Sequence, residues 1–127
     1  MGKRKIDFII ESFGLYSKWD RNSKELPKII EFITQIPAKV DAEFGYILHI
    51  KGGKGEKIEF IISHPQFKDI NGNIAKPFTG EVYINTNDYR VYLGDCIWEP
   101  VNDKKGEWKI EVFYKNELIS SKTFIII

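Results

Sequence analysis

The chain has 127 residues, which suits one domain with a sizeable core, and 14% of them are aromatic. Its 19 Lys and Arg nearly balance 18 Asp and Glu, and a net charge of +1 without a long basic segment disfavours a nucleic-acid-binding protein. Cys96 is the only cysteine, which excludes an internal disulfide and is compatible with a reducing compartment.

The amino-terminal segment begins with basic residues and continues into a short apolar run. Asp7 and Glu11 interrupt that run and no small-residue cleavage site follows, so the segment lacks the features of a signal peptide. No stretch of the sequence approaches the ~18 apolar residues of a membrane helix. We therefore expect a soluble, cytoplasmic protein that does not bind membranes.

Alternating apolar residues predict two strands in the first third of the chain. Residues 6–15 alternate, with a change of parity around Gly14 that indicates a β-bulge or a strand changing sheets. Residues 19–27 are polar apart from their ends and predict a loop. Residues 29–36 are predicted as one strand, because their β-branched content disfavours the alternative of a helix over residues 23–32.

A hairpin and a long loop are predicted in the middle of the chain. Residues 44–50 and 58–62 alternate cleanly, and the glycine-rich residues 51–55 predict a turn, so we expect the two strands to pair as a hairpin. Pro65 ends the second strand, because proline lacks the backbone donor. Residues 66–79 form the longest irregular stretch and contain an Asn-Gly turn signal.

The last third of the chain supplies the remaining strands. Residues 81–86 and 89–98 are predicted strands, and the second is expected to break at Gly94. Residues 108–114 alternate between apolar and polar side chains, and residues 118–127 form a second β-rich segment after an interruption at Asn116 and Glu117, so a closing hairpin is predicted. Seven to nine short strands are typical of an all-β, antiparallel β-sandwich, and no repeat or linker divides the chain into more than one domain.

Several short motifs occur in a recognisable order from about Ile29 onward. They are Ile36-Pro37-Ala38, Phe44-Gly45, His64-Pro65, Asn71-Gly72, Trp98-Glu99-Pro100, Gly106-Glu107-Trp108 and Lys122-Thr123-Phe124. With these motifs the chain resembles a bacterial family of uncharacterised domains that is known only as a domain of unknown function. The resemblance implies an immunoglobulin-like sandwich. It implies no activity and no catalytic residues.

His64 is the first candidate for chemistry. It stands at a strand end, where Asp69 could orient one ring nitrogen while the other faces a substrate. We favour the alternative of a structural histidine that hydrogen-bonds a turn carbonyl ahead of Pro65. The other histidine, His49, is expected to be half-exposed on a sheet, and two histidines without further ligands do not make a zinc site.

Residues 69–73 match the opening of a calcium loop, D-x-N-x-N. The sixth position is Ile74 and the twelfth is Gly80, where such a loop needs glycine and glutamate. A tight turn capped by the side chains of Asp69 and Asn71 explains the same residues. We therefore expect no metal and no cofactor.

Aromatic and short polar side chains mark the remaining candidates. Trp19 stands at the mouth of a polar loop, where it either contacts a partner or covers an open end of the sandwich. Tyr83, Tyr89 and Tyr92 place aromatic rings around the segment from Asn85 to Asp88, which has the composition of a binding loop. A hairpin turn with tyrosines that pair across its strands is the alternative. Cys96 has no activating group beside it in the sequence and is expected to be a small core residue.

The leading hypothesis is a small module without catalytic activity that binds a protein partner through loops or through an unpaired edge strand. Pairing at an edge strand would also allow a homodimer. A domain that binds carbohydrate or another small molecule is the alternative, and an enzyme that uses His64 is a third hypothesis. The candidate binding residues lie in three loops and are Trp19, His64, Asp69, Asn71, Tyr83, Asn85 and Asp88.

Overall fold

The apolar side chains that alternate in the sequence lie between two sheets in the computed structural model of the chain. The structure describes residues 5–20, 22–23 and 25–127. The described residues form one 3₁₀ turn, Asn102–Lys104, and nine strands. The strands are β1 (Asp7–Tyr16), β2 (Ile29–Glu31), β3 (Gln35–Ile36), β4 (Glu43–Lys51), β5 (Lys57–Ser63), β6 (Phe78–Tyr83), β7 (Asp88–Cys96), β8 (Gly106–Tyr114) and β9 (Glu117–Ile126). The predicted all-β sandwich is confirmed.

The strands are divided between a four-stranded and a five-stranded sheet. The first sheet has the order β2-β1-β4-β7, and the second has the order β3-β9-β8-β5-β6. The pairing is antiparallel except between β3 and β9, which run parallel. No helix in the described residues is long and apolar enough to cross a membrane.

The core lies between the two sheets and is centred on β4 and β8. Phe44, Tyr46 and Leu48 of β4 are fully buried on the inner face, and Trp108 and Ile110 of β8 meet them from the other sheet. This burial follows from the period of two in both strands. The closing hairpin is confirmed, since β8 and β9 pair along their length.

The predicted hairpin between residues 44–50 and 58–62 is wrong. β4 lies between β1 and β7 in the first sheet, whereas β5 lies between β8 and β6 in the second. The connection between them therefore crosses from one sheet to the other. Alternation identifies the buried face of each strand, but it does not identify the neighbouring strand.

The single strand predicted over residues 29–36 divides into two strands in different sheets. β2 pairs with β1, and β3 pairs with β9. The register of β1 shifts between Ile10 and Ser12 against β4 and between Leu15 and Tyr16 against β2, and not at Gly14 itself. Gly14 allows the backbone of β2 to approach β1 closely, because a Cβ at Gly14 would lie 2.1 Å from the carbonyl oxygen of Glu31.

Two strand boundaries and one burial prediction also differ from the structure. β6 begins and ends three residues earlier than expected, and β7 continues through Gly94 without a break. His49 is buried although a half-exposed position was predicted. Its ring is enclosed on the outer face of the first sheet, because it hydrogen-bonds Asp88 and lies beside Glu11.

Candidate binding site

β7 forms one edge of the first sheet. Among the described residues it pairs with β4 on one side, and no strand pairs with its other side. The chain reaches β7 from β6, which lies in the other sheet, so no strand that is adjacent in sequence covers this edge. An unpaired edge presents backbone N–H and C=O groups that a further strand can bind.

The described residues of the loop between β1 and β2 pack on the outer face of the first sheet and reach β7. The base of this loop is closed by hydrogen bonds between Ser17 and Lys28, one from each backbone N–H at 2.8 and 2.9 Å. Trp19 then packs edge-on against the ring of Tyr92 on β7, with 4.9 Å between ring centroids. The indole N–H of Trp19 donates to the carbonyl of Glu25 at 2.7 Å, which fixes the loop across its width.

Trp19 therefore covers the outer face of the first sheet and not an open end of the sandwich. Tyr92, beneath it, is held in place by its hydroxyl, which donates to the carboxyl group of Glu43 at 2.7 Å and to the carbonyl of Phe44 at 2.9 Å. Tyr16 packs edge-on against the same ring, and burial raises the pKa of the Tyr16 phenol. These contacts hold the rings of Trp19, Tyr92 and Tyr16 in one arrangement.

A groove of about 600 Å³ lies between the loop and β7. Trp19, Leu26 and Tyr92 give it apolar walls, and Asn85 and Arg90 add polar groups. All four consecutive residues 89–92 line it, although their side chains point to alternate faces of the sheet. The groove therefore follows the backbone edge of β7. Its size is in the range of sites that bind small molecules or peptide side chains.

Charged side chains occupy the outer face beside the start of β7. Arg90 reaches across β4 and donates from Nε to both carboxylate oxygens of Glu11, at 3.0 and 2.9 Å. Asp88 hydrogen-bonds Nε2 of His49. That hydrogen bond, together with the charges of His49, Arg90 and Lys51, lowers the pKa of the Asp88 carboxyl group. Since these charged groups pair with one another, the positive and negative charges of the cluster offset each other.

His64, Asp69 and Asn71 lie in the loop that follows β5 and do not line the groove. The two ring nitrogens of His64 lie 2.8 Å from the carbonyl of Pro65 and 2.9 Å from that of Lys76, which closes the loop. This is the contact with turn carbonyls that we favoured for His64. The Asp69 carboxylate accepts the backbone N–H of Asn71 at 2.9 Å, as the tight-turn interpretation predicts.

The candidate residues Tyr83, Asn85 and Asp88 of the third predicted loop do not lie together. Asn85 lines the groove and Asp88 belongs to the neighbouring charged cluster, whereas Tyr83 is exposed at the end of β6 and does not line the groove. The hairpin alternative for this segment is wrong, because β6 and β7 lie in different sheets. Cys96 is half-buried at the end of β7. In the part of the chain that the structure describes, no cluster of three His, Cys, Asp or Glu residues is arranged as a metal site.

Sequence reasoning did not select Leu26 or Arg90, and it named Tyr92 only as one of the tyrosines around the candidate binding loop. Arg90 and Tyr92 lie two positions apart on a predicted strand, so they could have been assigned to one face together with Asp88. Leu26 gave no usable signal, because nothing local indicates that its loop folds back over a sheet.

The sequence matches the family described as a domain of unknown function, DUF3859, over residues 4–126. The chain belongs to this family. The fold of this DUF3859 protein is similar to that of an immunoglobulin-like protein from Pseudomonas aeruginosa, known from its crystal structure, with a TM-score of 0.74 and 19% sequence identity. The similarity covers 99% of this chain and 100% of the other, and it confirms the expected immunoglobulin-like fold. A search of curated proteins found no match.

Proposed function

We propose that this DUF3859 protein is a non-catalytic interaction module that binds an extended segment of a partner protein along β7. The observation that carries the proposal is the combination of an unpaired strand edge with a groove of side chains directly beside it. Peptides that add a strand to a sheet gain affinity from backbone hydrogen bonds and specificity from pockets for their alternate side chains. β7 supplies the strand edge, and residues 89–91 of β7 also line the groove.

The groove is also supported by neighbours that would keep its shape during binding. Trp19 is fixed by its contact with Tyr92 and by its hydrogen bond to Glu25. Tyr92 is fixed by Glu43 and Phe44. A site whose walls are already ordered loses little conformational entropy when it binds, which favours affinity.

The absence of catalysis is part of the same proposal. His64 is the residue on which an enzyme hypothesis would depend, and both of its ring nitrogens face backbone carbonyls. Its ring also stacks on Phe67, with 4.3 Å between centroids. These contacts favour a structural role. The proposal includes a cytoplasmic setting, which suits a domain that is stabilised by its apolar core without disulfides.

The proposal is tested by capturing partners with the tagged protein in a lysate of its own host and identifying them by mass spectrometry. We expect a partner that is lost with Trp19→Ala and with Leu26→Glu. Tyr83→Ala is the matched control, because Tyr83 is an exposed aromatic residue outside the groove and should retain the partner.

Hydrogen exchange on the purified complex then locates the contact. We expect slower amide exchange in β7 when the partner is bound, because its outward N–H groups become hydrogen-bonded. Binding that survives both groove variants and leaves exchange in β7 unchanged would refute the proposal.

Binding of a carbohydrate or a similar polar small molecule is the second candidate. Ser23, Glu25 and Asn85 line the groove together with Trp19, and residues of these types suit sugar hydroxyls. A thermal-shift screen against a panel of saccharides tests it, since a ligand at saturating concentration stabilises the folded state by mass action. A saccharide that raises the melting temperature of the native chain but not of Trp19→Ala would favour this second function.

A further inference from the structure

Backbone hydrogen bonds just beyond the two ends of β7 identify the residues whose backbone groups point away from β4. The N–H of Gly52 donates to the carbonyl of Asn87 at 2.8 Å, and the N–H of Ile97 donates to the carbonyl of Ala42 at 3.1 Å. Both bonds continue the register in which β4 pairs with β7. In an antiparallel pair, residues that exchange hydrogen bonds alternate with residues whose N–H and C=O groups point to the other side. Counting by twos from either end, the residues of β7 that point away from β4 are Asp88, Arg90, Tyr92, Gly94 and Cys96.

Side chains cap this edge at both of its ends. The hydroxyl of Thr86 donates to the carbonyl of Asp88 at 3.0 Å, and the backbone N–H of Cys96 donates to the carboxylate of Asp95 at 2.8 Å. Both capped groups belong to residues that the alternation directs away from β4, so the caps support the alternation independently. A capped group pairs with a further strand only if its present hydrogen bond is broken. The edge that is open to a partner is therefore limited to residues 90–94.

Arg90 and Gly94 are the two positions that anchor a strand on this edge. Within the described residues, no hydrogen bond joins the backbone of either residue to an element other than β4. The Arg90 side chain extends across β4 to Glu11, away from the edge, and Gly94 has no side chain. The two residues lie four positions apart, about 13 Å at ~3.3 Å per residue. Five residues of a partner span this distance.

The side chains of such a segment alternate between two environments. Those at its first, third and fifth positions lie on the outer face of the first sheet, where the groove is. Those at its second and fourth positions turn towards the core side, beside Leu93, which is buried, and Val91, which is half-buried. Apolar side chains suit these two positions.

The charge that the groove offers to a partner is negative. Glu25 lines the groove, and within the described residues no ion pair includes its carboxylate. Arg90 also lines it, but its guanidinium is paired with Glu11. A basic side chain on the outer face of the segment complements this arrangement, and an acidic one opposes it.

We propose that the partner supplies a five-residue extended segment that runs antiparallel to β7 and pairs with Arg90 and Gly94, with apolar side chains at its second and fourth positions and a basic side chain at its third. This inference rests on the function proposed for β7. Antiparallel pairing lets one partner residue exchange both hydrogen bonds with Arg90 and another do so with Gly94. A parallel strand bonds through the residues on either side of each position, so it needs seven residues, and its pairing is slightly less stable.

Amide exchange of the free chain, followed by nuclear magnetic resonance, tests the assignment of the edge before any partner is added. We expect the amides of Arg90 and Gly94 to exchange much faster than those of Val91 and Leu93, because only the latter two donate to β4. Slow exchange of Arg90 and Gly94 in the free chain would overturn the inference, since their N–H groups would already be hydrogen-bonded.

The peptide acetyl-Thr-Val-Lys-Val-Thr-amide is the probe for the segment, titrated into the labelled full chain. We expect it to slow amide exchange at Arg90 and Gly94. The same peptide with a central glutamate should bind several-fold more weakly, and Glu25→Gln should remove most of this difference. Equal binding of the two peptides to the native chain would overturn the proposed charge preference.

Methylation of the peptide nitrogens tests the register. Methyl groups on both threonine nitrogens should weaken binding about tenfold or more, because these N–H groups face β7. Methyl groups on both valine nitrogens are the matched control and should leave binding unchanged, because these N–H groups face away. The reverse order, or equal effects, would overturn the inference. If the partner captured from the lysate slows exchange in β7 while the peptides fail these tests, only the inference falls, whereas a lysate without such a partner refutes the proposed function as well.

Discussion

Replacing Gly94 with alanine should destabilise the fold and damage the groove together. Gly94 lies on β7 beneath Tyr92, and an added Cβ would lie 2.2 Å from the carbonyl oxygen of Phe44 and 2.4 Å from the hydroxyl oxygen of Tyr92. Contacts between non-bonded heavy atoms this short are not tolerated, so the backbone or the tyrosine must move. The carbonyl belongs to the neighbouring strand β4 and cannot turn away without breaking the pairing of the two strands.

The size of the effect follows from two contributions. Overpacking a well-filled site costs about 1–3 kcal/mol, and displacement of the Tyr92 hydroxyl costs about 1–3 kcal/mol more through its lost hydrogen bonds. We expect a total loss of about 4 kcal/mol in the free energy of unfolding. For a domain of this size, that corresponds to a fall of roughly 15 °C in the melting temperature.

Urea unfolding followed by circular dichroism measures this loss, with two variants for comparison. Gly72→Ala tests a glycine whose φ is +81° but whose added Cβ has nothing within 4 Å, so it should lose only about 1–2 kcal/mol for the left-handed backbone. Tyr92→Phe removes the hydroxyl and keeps the ring, which isolates the hydrogen-bond contribution. If Gly94→Ala lost less stability than Gly72→Ala, the steric reasoning would be refuted.

Three further predictions concern polar groups in the fold. Lys104 is buried, with its ammonium group 4.8 Å from the ring centre of Phe67, and it donates to the carbonyl of Pro100 and to the carboxylate of Asp103. Lys104→Ala should cost about 3 kcal/mol, and Lys104→Met should cost less because it retains the packing and loses only the polar contacts. Equal losses in urea unfolding would show that the polar contacts, and not the packing, stabilise the fold. The lowered pKa of Asp88 means that its ionised form stabilises the folded state at neutral pH and that this contribution is lost as the pH falls through the lowered value. The stability advantage of the native chain over Asp88→Asn should therefore shrink in acid, and a constant difference in urea midpoints would contradict this. Burial raises the pKa of Tyr46 to about 12, so the folded state favours the neutral phenol, and stability should fall as the pH rises between about 10 and 12. Tyr46→Phe should show a smaller alkaline loss, and an identical loss in both chains would contradict the assignment.

The sequence predicted the faces of strands better than their neighbours. The alternation of residues 44–50 and 108–114 identified the buried faces of β4 and β8 correctly, because a period of two places all the apolar side chains on one face. The prediction of the closing hairpin was also correct. Its turn lies at Lys115 and Asn116, and both have the positive φ values that a tight hairpin requires. Neither signal states which sheet a strand joins. The connection after β4 could therefore be interpreted as a hairpin turn although it crosses between sheets.

The candidate site was predicted only in part, for a related reason. Trp19 and Asn85 were selected for their composition, and the fold brings them to one groove. His64 and Asp69 were selected by the same reasoning, but they close their own loop. Composition identifies groups that are able to bind. Whether they face a ligand or the backbone depends on the path of a loop, which neither propensity nor periodicity specifies.

The position of the groove depends on three glycines that lie side by side across the first sheet. Gly14 of β1 pairs with Gly45 of β4, which pairs with Gly94 of β7. A row without side chains leaves room on the outer face, and Tyr92 extends over Gly94 to reach Glu43 and Phe44. The ring of Tyr92 then forms the surface on which Trp19 and its loop rest. Any side chain at Gly94 would lift that surface away from β7, so the requirement for glycine there concerns the shape of the groove as much as the stability of the sheet.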